Sequence, residues 1–145
     1  MTENENPTSV YASFFLRGKG IDTDTLTMLL KIAPSYKFKK GDLYGRRKEH
    51  VREYGLWSFD SRGQVQSTDL GDHVLWVVEQ LEPVQTHIAS LLSQKDIHAE
   101  LTIVFSLFTR EWNASLSPQV LRRIASLNIL LGISIYHLSY PEEQS

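Results

Sequence analysis

The sequence predicts an α+β fold: a mostly antiparallel sheet of four or five strands with two or three helices packed on it. Three features carry this expectation. Stretches rich in β-branched and aromatic residues, such as VYASFFLR at 10–17 and IHAELTIVFSLF at 97–108, stand apart from stretches with helical spacing. Each helical stretch opens on a side chain able to cap it. The chain has 145 residues, 41% hydrophobic and 22% charged. That suits one domain, which at this size buries roughly 70% of its unfolded surface and needs no disulfide or metal to be stable.

The elements follow in order. Residues 1–9 read as a polar tail, 10–140 as a single domain and 141–145 as a second tail. The first strand spans 10–17, bounded by Gly18 and Gly20. A helix of about three turns follows, capped by Asp22 or Thr23, with Leu26, Leu29, Leu30 and Ala33 on its apolar side and Pro34 stopping it. Residues 36–54 show no clear period. GLWSFDSRGQVQS at 55–67 reads as a hairpin turning at SRG, with Leu56, Ser58 and Asp60 alternating with Trp57 and Phe59.

The longest helical pattern covers 68–94. Thr68 or Asp69 caps it, and Pro83 predicts a kink or break near Leu81 and Glu82. The strand at 97–108 is nearly all apolar from Leu101 to Phe105, which suggests a central place in the sheet. Ser117 as cap and Pro118 at the first helical position mark the last helix, whose apolar face is Val120, Leu121, Ile124 and Leu127. ILLGISIYHL at 129–138 closes the fold as a strand. Both ends share a strand, helix, strand layout, which leaves room for an internal pseudo-repeat.

Composition excludes several chemistries. With no cysteine there is no thiol nucleophile, disulfide, iron–sulfur cluster or thiolate zinc site. The first ten residues lack the basic and apolar regions of a signal peptide. No apolar run approaches the roughly 20 residues of a membrane helix. The expected location is the cytoplasm, without membrane contact. There is no G-x-S-x-G elbow, no H-E-x-x-H and no phosphate loop. The five histidines, His50, His73, His87, His98 and His137, are scattered and are expected to face solvent or be satisfied locally. Asp22 with Asp24, and Asp69 with Asp72, sit at helix starts, where capping and the helix dipole explain them. No catalytic residue, cofactor or metal is expected.

One stretch stands out. Between Lys37 and Glu53 lie seven basic residues and three acidic ones, a net +4 within a chain of total charge −2, so the remainder carries −6. The cations are interleaved with Tyr36, Phe38, Tyr44, Tyr54 and Trp57. Gly41 and Gly45 permit tight turns, and Asp42 can hold backbone donors within one. The bland reading is a solvated loop. In the functional reading Trp57 floors a groove rimmed by Lys40, Arg46 and Arg47, and the partner-binding residues are Lys39, Lys40, Asp42, Tyr44, Arg46, Arg47, Arg52 and Trp57.

LSPQVLRRIASLNILLGISIYH at 116–137 resembles the closing signature of the bacterial family catalogued as domain of unknown function 4279. Further landmarks are similar, in order: Arg17 and Gly18 ending the first strand, Pro34 after the first helix, Lys40-Gly41-Asp42, Gly55 with Trp57 and Ser58, and Leu81 with Pro83. The last strand departs from the family's pattern at Ser134, where an acid often precedes Ile-Tyr. The resemblance implies the fold and no established activity.

The resulting expectation is a non-enzymatic domain that binds another protein, in its most concrete form a bacterial immunity protein neutralising a cognate toxin. The alternative is a nucleic-acid or phosphate-ligand binder using the basic loop 37–52, although such domains are usually basic overall and the pI here is about 6.2. An enzyme requires the fold to gather Asp42, His50, Glu53 and His98 into one cleft.

Overall fold

The computed structural model describes residues 9–108 and 112–138. Its sheet is built around two ten-residue strands, β1 (Ser9–Gly18) and β6 (His98–Leu107), which pair antiparallel along nearly their whole length. β5 (Gly55–Asp60) pairs antiparallel with the other side of β1, and β2 (Tyr36–Phe38) pairs antiparallel with β5. β7 (Leu130–His137) runs parallel to β6, giving the order β2-β5-β1-β6-β7. β3 (Leu43–Tyr44) and β4 (His50–Val51) form a separate two-stranded ribbon. The α+β class is as expected.

Alternation along the strands separates two faces. Val10, Ala12, Phe14 and Leu16 of β1, Trp57 and Phe59 of β5, and Ala99, Leu101, Ile103 and Phe105 of β6 are buried on one face. Over it lie α1 (Thr23–Leu30), α2 (Leu70–Leu81), α3 (Gln85–Leu92) and α4 (Pro118–Ser126), which contribute Leu26, Leu30, Val74, Val77, Val78, Leu81, Ile88, Val120 and Ile124 to the same core. Each such side chain contributes about 1.5–3 kcal/mol when fully buried. The other face carries Tyr11, Phe15, Arg17, Leu56, Ser58 and Asp60.

The helix ends follow their local chemistry. Asp22 caps α1 by accepting from the backbone N–H of Asp24 and Thr25, both at 3.1 Å. The helix stops after two turns rather than three, because Lys31 turns into the left-handed region at φ 57° and its N–H closes on Thr27 O. Ala33 thus falls outside the helix, and Pro34 follows an end already made. Asp69 caps α2 and Ser117 caps α4 ahead of Pro118. The expected break at Pro83 is a 3₁₀ turn, Glu82–Val84, between α2 and α3.

The expected hairpin after β5 does not form. Gln64 and Val65 N–H both close on Ser61 O, making a tight turn at Gly63, and 64–69 then leads into α2. Both sides of β5 are already taken by β1 and β2, so no place remains for a strand at 64–67. The pseudo-repeat survives only as layout: β1-α1-β2 and β6-α4-β7 are both strand, helix, parallel strand, but β5 is inserted into the first. The expected tails fall outside the described residues, apart from Ser9, which opens β1.

Candidate functional site

The basic stretch is an ordered structure. Lys37 sits in β2, and 39–52 fold into a hairpin beyond the sheet edge. Asp42 closes its base, with Oδ2 accepting from Lys39 N–H at 2.8 Å, while Gly41 N–H donates to Arg52 O and Arg52 N–H to Asp42 O, each at 2.8 Å. Gly41 and Gly45 take φ of 95° and 99°, conformations that glycine adopts without strain. At the tip, Glu49 Oε1 accepts from Arg47 N–H at 3.0 Å.

Two anchors tie this hairpin to the domain, one on each side of the sheet. On the helix side, Lys39 Nζ lies 3.0 Å and Lys37 Nζ 3.5 Å from the Asp24 carboxylate at the start of α1. The hydrogen bond from Lys39 holds the Asp24 carboxyl below its ordinary value and raises the Lys39 ammonium. On the open side, the Arg52 guanidinium is sandwiched between the Phe38 and Tyr44 rings, 3.9 Å from each centroid, and donates to Tyr36 Oη at 3.3 Å. Phe38 in turn packs against Tyr54, 5.8 Å between centroids.

The eight expected contact residues therefore divide. Trp57 is a correction: it is 0% exposed, faces the core and donates through Nε1 to Thr27 Oγ1 at 3.0 Å, so it floors no groove. Its exclusion follows from the strand alternation, which puts it with Phe59 on the helix side. Lys39, Asp42 and Arg52 hold the hairpin together and are occupied internally. Tyr44 is part of the sandwich and keeps an open surface. Lys40, Arg46 and Arg47, together with Lys48, are exposed, and their side chains make no hydrogen bond or ion pair among the described residues. Leu43 and Val51 are exposed apolar residues that the charge pattern of the stretch does not mark. They pair across the ribbon on the side away from the Arg52 sandwich and remain 55% and 54% exposed. The available signal was two apolar residues flanking the GRRKE turn at matching distance.

The four residues an enzyme would need together, Asp42, His50, Glu53 and His98, do not line one hollow among the described residues. His98 lines a hollow with Arg17, Tyr54 and Asp96 that does not include Asp42, His50 or Glu53. Ser61 Oγ and His73 Nδ1 are 2.6 Å apart, but both residues are buried and Ser61 has no exposed surface. His73 Nε2 faces Ser67 O at 2.7 Å, so Nε2 donates and Nδ1 accepts from Ser61, while Ser61 Oγ accepts from Ala12 N–H. The pair staples β1 to α2. Among the described residues no group of three His, Asp or Glu is arranged to hold a metal ion, and no helix is long and apolar enough to cross a membrane.

No curated protein and no solved structure matches this chain. A family model, the domain of unknown function DUF4279, matches residues 8–138, from the start of β1 to the end of β7. The chain belongs to the DUF4279 family.

Proposed function

We propose that this protein is a non-enzymatic cytoplasmic domain that binds an acidic surface of another protein through the outer side of hairpin 39–52. The observation that carries the reading is the contrast within one hairpin. Asp42, Lys39 and Arg52 are consumed in holding its shape, while the side chains of Lys40, Arg46, Arg47 and Lys48 have no hydrogen-bond or ion-pair partner among the described residues and share the hairpin with the exposed pair Leu43 and Val51. A rigid frame lowers the ordering cost of binding. Exposed apolar side chains give a desolvated centre, and free cations around them speed encounter with an acidic partner.

A bacterial immunity protein that occupies a cognate toxin is the concrete form of this reading, because neutralisation rewards fast, charge-steered association. Cells challenged with a neighbouring-encoded toxin should survive with the wild-type protein and die with Arg46→Glu/Arg47→Glu. Equal killing with and without the wild-type protein would end the immunity reading.

Tyr36 and Tyr54, exposed near the hairpin, also favour a second reading, in which bases stack on rings and phosphates meet the cations. That reading requires affinity for a single-stranded oligonucleotide that falls steeply with salt. The −6 carried by the rest of the chain opposes it.

A further inference from the structure

The two edges of the sheet are built differently. β2 is a three-residue edge containing Lys37 and continued by the charged hairpin. Short length and lysine are devices that keep an edge from pairing with another chain. β7 has neither. It is eight residues long, pairs in unbroken register with β6 and, among the described residues, pairs with no other strand. Residues 129–138 contain no charged side chain and no proline.

The strand is apolar on both faces. Leu131, Ile133 and Ile135 point to the helix side, and Leu130 and Tyr136 to the open side, and all five are exposed. Ile133 is 62% exposed. A cavity of about 440 Å³ lies beside β7, bordered by Phe105, Trp112, Leu116, Leu121 of α4, Ile133 and Ile135.

We propose that β7 is the interface of a homodimer, pairing antiparallel with β7 of a second copy across a two-fold axis to join two sheets into one. The occupant follows from the chemistry of the edge. β7's own side chains offer no charge to an acidic or basic partner, and a two-fold sets none of them against its like; the nearest charge, the Glu100 carboxylate over Gly132, accepts from Thr102 Oγ1. Faces are conserved when the axis passes through a residue. Centred on Ile133, the pairing lays Ile133 on its own counterpart, Leu131 on Ile135, Gly132 on Ser134 and Leu130 on Tyr136. The second copy's Ile133 and Ile135 then stand on the helix side and border the open flank of the cavity. Strand pairing with these side chains forms the apolar centre of an interface whose standard size is roughly 800 Å² per partner. This surface is on the opposite edge from the basic hairpin, so the two can be occupied together.

Light scattering after gel filtration, with protein loaded up to roughly 100 µM, is the test. The wild type should run as a dimer that dissociates on dilution. Ile133→Lys should be monomeric with an unchanged circular dichroism spectrum. Because the chain has no cysteine, Ile133→Cys adds a single thiol whose counterpart lies about 4.5–5.5 Å away, Cα to Cα, in a centred pairing, within the range a disulfide spans. It should cross-link under mild oxidation, while Met28→Cys, exposed on α1, should not. The cross-linking result stands even where Ile133→Lys fails to fold. A wild type that stays monomeric throughout, or a dimer indifferent to Ile133→Lys whose Ile133→Cys form does not cross-link, would overturn the proposal.

Discussion

The guanidinium of Arg52 lies 3.9 Å above the centre of the Tyr44 ring, and the Phe38 ring holds its other side at the same distance. One arginine thus ties the ribbon β3–β4 to the edge strand β2. Its planar cation stacks on both rings, which a lysine ammonium does not reproduce. Arg52→Lys should therefore loosen the hairpin and leave the core intact. We expect a stability loss of about 1 kcal/mol or less, with faster hydrogen exchange at the backbone amides of Gly41 and position 52 and unchanged exchange in β1 and β6. Unchanged exchange at Gly41 would show that the stack is dispensable.

The bond from Trp57 Nε1 to Thr27 Oγ1 belongs to a chain, since the Thr27 hydroxyl donates onward to Thr23 O at 3.0 Å. Thr27→Val leaves the indole N–H unpaired beside the core. Urea unfolding should show a loss of about 1–3 kcal/mol, with Thr27→Ser close to wild type. Trp57→Ala should cost about 3–5 kcal/mol through the cavity it opens. Partner binding should follow the folded fraction in each case, because Trp57 has no exposed surface.

Glu82 and Arg123 join the 3₁₀ turn to α4 through two hydrogen bonds, at 2.9 and 2.7 Å. The Arg123 guanidinium holds the Glu82 carboxyl below its ordinary value of 4.5. A carboxylate whose folded pKa is lowered adds stability that is fully present above the unfolded pKa and is lost as pH falls through the folded one. Both side chains are more than a third exposed, so solvent screens the pair and the effect is small. Between pH 6 and 3, the wild type should lose more stability than Glu82→Gln. Parallel curves for the two would show that the pair adds nothing.

What was legible in the sequence was what is local. β1, β6 and β7 show in runs of apolar residues, and Asp22, Asp69 and Ser117 announce their helices because a cap acts within three residues. β2, β3 and β4 were hidden, since strands of two or three residues have no period to read. They are held by distant groups: Asp24 under Lys39, and Phe38 and Tyr44 around Arg52. SRG is a turn as expected, but its hairpin was excluded by β1 and β2 occupying both sides of β5, a fact of topology. At the candidate site, proximity in sequence misled. Trp57 neighbours the cations along the chain and faces the core, while Leu43 and Val51 share the hairpin with the exposed Arg46 and Arg47 and have no period that marks them.

If the exposed cations of hairpin 39–52 bind a protein, they do so without supporting the fold. The most direct measurement compares wild type with Arg46→Glu/Arg47→Glu, each purified gently from the native host after nuclease treatment. Both should show the same unfolding midpoint, with a stoichiometric protein partner on the wild type alone and an association rate that falls with salt. A partner retained by the double variant would contradict binding through these cations. So would a 260 nm absorbance that nuclease removes along with all bound material, which would make the hairpin a nucleic-acid surface instead.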